Sequence, residues 1–429
     1  MNTFFQKAIP LSLVGIAVLL GTGWADPSPS ISTRALTWQD CVRVAAQHNP
    51  DLLASLLTTK ASRALYLESI NGILPHVSLT HSYNDSSVSG GGDIKSWQAQ
   101  GNASLNLIDF AQFASIESAS AALKLSQANR EITGNNTLLS LYRAFTALMY
   151  AQDEIGVTTS IRDTWKMNSQ MISLRYKSGS ESKGNDMNTQ AQLLQAEIGL
   201  SQAGRDIVVA QQQLSQVLGL GQFTALQATG TWTPSSAPPL TPDFEAIVNR
   251  LPQIRAQQAV LDQARAALKS AHSTLWPSLS VNYSKGLVGR TEFPSNPFWN
   301  FTGVLSYPIF GNGLTSTYYA SQAAQRSYEK ALQDLRSLRN QNLTNLRSAW
   351  SGFAQAEDQI RVQRAFLEAD RQRKAEYDVL YRSGLMSFQE WILVVNEYVN
   401  FQTSFLRSEQ NRILAEAQWR FAQGEVLGE

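Results

Sequence analysis

Apolar and polar residues alternate with a period of two in four short stretches of this chain, and elsewhere the period lengthens to that of a helix. Val77, Leu79, His81 and Tyr83 alternate with Ser78, Thr80, Ser82 and Asn84, while Trp97, Ala99, Gly101, Ala103, Leu105 and Leu107 alternate with Gln98, Gln100, Asn102, Ser104 and Asn106. The pattern returns with Leu279, Val281 and Tyr283 against Ser278, Ser280, Asn282 and Ser284. It returns again with Trp299, Phe301, Gly303, Leu305 and Tyr307 against Asn300, Thr302 and Ser306, Val304 being the exception. Successive side chains of a strand point to opposite faces, so these stretches predict strands at 75–84, 97–107, 277–286 and 298–307. Connecting loops of equal length are expected at 85–96 and 287–298. No Gly-Lys-Ser/Thr follows Gly90-Gly91-Gly92, which therefore reads as a hairpin tip and not as a phosphate loop.

Helical periodicity fills the rest. Residues 36–74 predict a helix opened by Thr37 as N-cap and closed before Pro75, because the residue preceding a proline avoids the helical region. Residues 111–176 and 313–381 contain no proline, so each can form a helix of about 65 residues, or about 100 Å. In the second, Leu343, Leu346, Trp350, Phe353, Ile360 and Leu367 follow a coiled-coil spacing, as do Leu138, Tyr142, Phe145 and Met149 in the first. Gly179 and Gly384 end these helices and a return helix follows each, the second carrying Trp391, Val394, Tyr398, Phe401 and Phe405. Such a helix pair buries only a narrow stripe and needs further partners.

The two halves repeat one unit. Pro50 and Pro252, Pro75 and Pro277, Trp97 and Trp299, and Gly101 and Gly303 all stand 202 residues apart. Tyr176-Lys177-Ser178-Gly179 and Tyr381-Arg382-Ser383-Gly384 stand 205 apart, which implies a three-residue length difference in the helical segment between. The chain divides into a secretory signal at 1–25, a first repeat at 26–220, a linker at 221–241 and a second repeat at 242–429. A short strand is expected in the linker near 229–233. The signal reading rests on Lys7, the apolar run 9–20 and the small residues around Trp24 before Asp26; that run is too short to span a bilayer comfortably.

Composition then removes several classes of function. With 35 Lys+Arg against 34 Asp+Glu, no overall field draws the chain to nucleic acid. The single cysteine, Cys41, excludes an intrachain disulfide and a CxxC site, lies far from the cleavage point, and reads as a packed thiol. His48, His76, His81 and His272 are the only histidines, and His76 and His81, five apart on one strand, face opposite sides. No catalytic set, metal track or cofactor motif emerges, and enzymatic activity is not expected. A periplasmic coiled-coil scaffold or adaptor-like binding protein would share the signal and the heptads, but gives no reason for two Trp-bearing hairpins of membrane length.

Four strands cannot close a barrel around a lumen, and an open sheet in lipid leaves edge amides unsatisfied, so other subunits are needed. The uncharged polar residues of each strand suit a wet lumen. The aromatic residues Tyr83, Trp97, Tyr283, Trp299 and Tyr307 suit the lipid interface.

Four motifs stand out in order along the chain: Ala45-Ala46-Gln47-His48-Asn49-Pro50-Asp51-Leu52, Asn106-Leu107-Ile108-Asp109-Phe110, Pro308-Ile309-Phe310-Gly311-Asn312-Gly313 and Tyr381-Arg382-Ser383-Gly384-Leu385-Met386-Ser387. With them the arrangement resembles the TolC-type outer-membrane efflux protein family from Leu36 to about Gly424. The resemblance implies a mainly helical, internally duplicated protein whose four strands join those of two other copies in a twelve-stranded outer-membrane barrel above a periplasmic α-barrel. It further implies a homotrimer in outer-membrane lipid, a periplasmic adaptor, and an inner-membrane pump of the RND, ABC or MFS type that supplies the energy. At the periplasmic entrance it implies a gate near Tyr381, with Glu390, six residues past Gly384, ringing the constriction. Three such carboxylates around one axis would raise one another's pKa and attract cations. In the first repeat that position is Asn185, with Asp186 one residue on, and Met386 stands where some members carry a gate arginine. Glu390 has a second reading as an ordinary carboxylate at a helix start.

Overall fold

The computed structural model describes residues 34–88, 91–221, 224–230, 242–308 and 315–425. The signal at 1–25, linker residues 222–223 and 231–241, Gly90 of the hairpin tip and residues 309–313 of the second strand-to-helix motif lie outside the described residues.

The predicted helix at 36–74 is interrupted. Strand β1, Arg34–Leu36, is followed by α1, Trp38–His48, and α2, Pro50–Ile70, with a single 3-10 turn at Asn71–Ile73. Thr37 caps α1 through a capping box: its Oγ1 accepts from the Asp40 amide at 3.3 Å, and Asp40 Oδ2 accepts from the Thr37 amide at 3.2 Å. The break falls at Asn49, extended at φ −63° and ψ 122°, because Pro50 disfavours helix in the residue before it. Asn49 Oδ1 accepts from the amides of Asp51 and Leu52, and Nδ2 donates to the Val217 carbonyl at 2.8 Å. One side chain thus starts α2 and holds it against the end of a distant helix.

Strands β2, His76–Val88, and β3, Gly91–Ile108, lead into α3, Phe110–Lys177, and α4, Lys183–Leu218. After β4, Leu226–Ala228, which pairs in parallel with β1, the second unit runs through α5, Phe244–Arg250, and α6, Pro252–Ser273. It continues with β5, Ser278–Gly289, β6, Asn296–Ser306, α7, Ser316–Arg382, and α8, Phe388–Ala422. β4 thus lies just before the strand expected at 229–233. Helices α3 and α7 are 68 and 67 residues long, and uninterrupted helices of that length span roughly 100 Å. The strands run into the predicted loops: residues 85–88 and 91–96 continue the first hairpin as paired strand, so that loop is far shorter than expected.

The four strands form one antiparallel sheet in the order β2-β3-β5-β6. Its register aligns Leu79 with Gly101, Gly101 with Lys285 and Lys285 with Trp299, and two residues along it aligns Val77 with Ala103, Ala103 with Tyr283 and Tyr283 with Phe301. Opposed residues share a face, so the apolar set of every strand falls on one side, interrupted by Lys285 and, towards the hairpin tip, by the opposed Asp85 and Lys95. Ser78, Asn102, Ser284 and Asn300 fall on the other. Leu79, Val77, Trp299 and Leu305 are exposed on the apolar face, while β2 and β6 have no further neighbour among the described residues.

Packing along the helices follows the heptads. Leu346, Phe353 and Ile360 of α7 and Leu138, Tyr142 and Phe145 of α3 are buried. Ala196, Ala203 and Ala210, seven residues apart on α4, are also buried, and small side chains at that spacing let helices approach closely. Cys41 is fully buried in the cluster with Leu141, Phe145, Leu148 and Leu214, and burial, then the Asp40 charge, push its thiol up to about 12.

Candidate functional site at the helical tip

Two matching turns close the end of the helical region remote from the sheet. α3 ends at Gly179, φ +76°, and α7 at Gly384, φ +79°, a left-handed conformation that glycine adopts without strain. The amides of Ser180 and Leu385 return to the carbonyls of Arg175 and Leu380 at 2.8 and 2.9 Å. Ser182 and Ser387 then cap α4 and α8.

The tip carries a network centred on Tyr381, which is 2 % exposed. Its ring stacks on Trp391 at 4.5 Å and 9°, and the Arg175 guanidinium lies 4.7 Å from its centroid. Its hydroxyl donates to Glu181 Oε2 at 2.5 Å, and Arg175 Nη1 donates to its carbonyl oxygen at 2.9 Å. Glu181 Oε1 also accepts from Asn185 Nδ2 at 2.6 Å and from the Ser182 amide at 3.0 Å. Partial burial pushes the Glu181 carboxyl up, but the bonds from Tyr381, Asn185 and Ser182 outweigh it and hold the group below its ordinary range. Burial, then the bond to Glu181 and its charge, raise the Tyr381 phenol well above its ordinary value. Trp391 is held by its Nε1, which donates to Asp378 Oδ1 at 2.8 Å, and Asp378 pairs with Lys374 at 2.8 Å.

Arg175 and Glu181 escaped the sequence reading. Arg175 is the counterpart of Leu380, and Glu181 of Met386, in the 205-residue repeat. The tyrosine of the second turn therefore takes its cation and carboxylate from the first turn, and Met386 packs against the shared cluster. Comparing the two turns exposes both charged residues opposite apolar counterparts, but their meeting with Tyr381 is set by packing.

Glu390 lies outside this network. It is exposed, and its Oε2 accepts from Ser387 Oγ at 2.8 Å and from the Ser387 amide at 3.1 Å, completing the capping box of α8. In the single chain those bonds hold its carboxyl below the ordinary range. Asp186 is 8 % exposed; its Oδ2 accepts from Gln190 Nε2 at 3.0 Å while its buried Oδ1 has no hydrogen-bond partner.

At the sheet, Tyr83 and Trp97 are opposed in register with ring centroids 4.8 Å apart near the hairpin end, and Tyr307 lies just past β6 at the helix end. Tyr283 and Trp299 occupy the same apolar face between them. Among the described residues no helix is long and apolar enough to cross a membrane, and no group of three or more His, Cys, Asp and Glu is placed to hold a metal ion.

The profile of the family described as "Outer membrane efflux protein" matches residues 41–220 and 245–425. The chain is 22 % identical over 226 residues to the cobalt-zinc-cadmium resistance protein CzcC of Cupriavidus metallidurans, a match covering 52 % of this chain and 53 % of that one. Its fold is similar to the Campylobacter jejuni CmeC outer membrane channel, with a TM-score of 0.82 at 14 % identity over 91 % of this chain and 87 % of that one. It is also similar to the Neisseria gonorrhoeae MtrE outer membrane channel, with a TM-score of 0.78 at 17 % identity over 91 % and 89 %. A profile that spans both halves, with a fold matching solved structures over nine-tenths of the chain, places the molecule: it belongs to the outer membrane efflux protein family.

Proposed function

We propose that three copies of this chain form a passive conduit, a twelve-stranded barrel in the outer membrane continued by a helical barrel in the periplasm. A periplasmic adaptor would join it to an inner-membrane pump that supplies the energy. The observation that carries this reading is the sorting of the sheet. Each strand offers an apolar row to one side and a mostly uncharged polar row to the other, and β2 and β6 have no further neighbour among the described residues. In lipid, unpaired edge amides cost several kcal/mol each, and closure with neighbouring copies removes that cost. The apolar row becomes the lipid face, with Tyr83, Trp97, Tyr283, Trp299 and Tyr307 upon it, and the polar row lines the lumen. The repeat units are 26–220 and 242–429, joined by 221–241.

The helical tip is the gate. The Tyr381–Glu181 bond and the Arg175 contacts tie the α7–α8 turn to the α3–α4 turn, and opening requires the two to part. Glu390 and Asp186 stand at the starts of α8 and α4, where three copies would place them around the entrance. The walls need only shape and charge, so no catalytic role is assigned.

Reconstitution of the mature protein into planar bilayers tests the conduit. Stepwise conductance from a detergent-stable trimer is expected, and Glu390→Gln should weaken its cation preference. A protein released by osmotic shock without detergent, with no conductance, would favour the scaffold reading instead.

A further inference from the structure

An open cavity of about 570 Å³ lies between α3, α7 and α8, in the helical region well away from the tip. Its volume falls within the range of small-molecule sites. Its two ends differ in chemistry. At the end nearer the middle of the chain's long axis stand Thr146 and Arg412, 2 % and 6 % exposed. Thr146 Oγ1 is buried without a hydrogen-bond partner, which usually signals a missing partner, while Arg412 Nη1 faces Glu416 Oε2 at 3.7 Å. At the end nearer the tip stand Asp153 and Glu409, neither of which has a hydrogen bond or ion pair among the described residues. Thr146 and Asp153 are seven residues apart on α3, about 10 Å along a helix axis. Met149, Ile360 and Leu406 supply apolar wall between the ends.

The other charges are accounted for. Glu357 is bound by Arg412 Nε at 2.6 Å, and Arg361 is paired with Asp358. Arg364 lies over the Phe405 ring at 5.8 Å and partly offsets Glu409. Two carboxylates against one guanidinium leave the tip-side end negative. Partial burial raises the Asp153 and Glu409 carboxyls above their ordinary range, a cost to their charged forms that a cation between them would offset.

We propose that this cavity binds an elongated, drug-sized organic cation, its amine between Asp153 and Glu409, its apolar body along Met149, Ile360 and Leu406, and a hydrogen-bond acceptor at Thr146. The site belongs to the wall of a single chain and binds without pump or adaptor, so its test does not depend on transport.

The test is equilibrium binding of rhodamine 6G, a fluorescent cation with an ester carbonyl, to the full-length protein in nanodiscs of zwitterionic lipid, read by fluorescence polarisation. Saturable binding is expected, weakened at least tenfold in Asp153→Asn/Glu409→Gln and unchanged in Glu329→Gln, which alters a surface carboxylate elsewhere on α7. Binding that is unsaturable, or equally tight in the double variant, overturns the proposal. Should the double variant fail to assemble, competition on the unaltered protein decides. Decyltrimethylammonium should displace the dye where uncharged decyl maltoside at equal concentration does not, and equal displacement by both also overturns it.

Discussion

Tyr381 and Glu181 stand 200 residues apart in the chain, yet the phenol hydroxyl of one donates to the carboxylate of the other at 2.5 Å across the two turns of the helical tip. Each turn belongs to a different repeat, so this bond is a direct tie between the two halves of the molecule. Tyr381→Phe keeps the ring stacked on Trp391 and removes only the hydroxyl. Loss of one bond to a partly solvated carboxylate costs about 1 kcal/mol, enough to shift a closed-to-open equilibrium about fivefold. Single-channel recording should show a higher open fraction for the variant, whereas an unchanged fraction would remove the bond from the gate.

The same carboxylate sets a pH dependence. Glu181 is held below its ordinary value of 4.5 in the folded tip, so its contribution is fully present above that value and is lost as pH falls through the depressed one. Opening is therefore expected to increase only on strong acidification. Glu181→Gln should be already loosened at neutral pH and should lack this acid step. An acid step of the same size in both proteins would assign it to other groups.

Much of this architecture is legible in the residues. The Ser/Thr/Asn/Gln rows at 78–84, 98–106, 278–284 and 300–306 fall on one face because strand side chains have a period of two, and α3 and α7 run long because no proline interrupts them. The break at Asn49 was written in the Asn-Pro pair, but the helical periodicity on either side masked it. The extension of the first hairpin was hidden by Gly90-Gly91-Gly92, which suggests a loop where backbone pairing in fact continues at 91–96. The tip network was not legible from either turn alone, because Arg175 and Glu181 meet Tyr381 only once two repeats are packed side by side. Partner choice across some 200 residues depends on packing, for which local patterning gives no signal.

Gly219 ends α4 at φ +73°, and a Cβ there would meet the backbone carbonyl of His48, beside the break at Asn49. A left-handed conformation costs a side chain roughly 1–2 kcal/mol, and the obstacle is backbone, which cannot turn aside. Gly219→Ala should therefore lose more than this in thermal unfolding of the helical region. Gly179→Ala, with open space around its Cβ and a similar φ, should lose only the conformational part.

The two faces of the sheet should respond oppositely to one charge. Leu79 belongs to the apolar row and Thr80 to the polar row one residue on, where Asn102 Nδ2 donates to it at 3.3 Å. Arginine on a lipid-facing position costs about 2–4 kcal/mol near the bilayer midplane. Leu79→Arg is expected to reduce the amount of assembled outer-membrane protein. Thr80→Arg should assemble and lower cation conductance; equal yields for both would mean that the faces are not divided between lipid and lumen.

A chain of charges, buried at Glu416 and Arg412 and half-buried at Glu357 and Arg420, runs where α8 crosses α3 and α7. Glu416, 2 % exposed, accepts from Arg420 Nη2 at 2.9 Å and lies 3.7 Å from Arg412 Nη1, while Arg412 is bonded to Glu357 of α7 and Arg420 Nη1 donates to the Tyr142 hydroxyl of α3 at 3.2 Å. Breaking the buried Arg412–Glu416 pair by removing one member costs about 3–5 kcal/mol, because the other loses a partner where water cannot replace it. Glu416→Gln should accordingly lower the guanidinium midpoint of the helical signal by that equivalent. Arg412→Met/Glu416→Leu removes two charges together and should recover part of the loss, since apolar replacement of a buried pair is often near neutral. If instead the double variant loses the sum of the two single effects, the charges act independently and α8 is held in place by its apolar contacts alone.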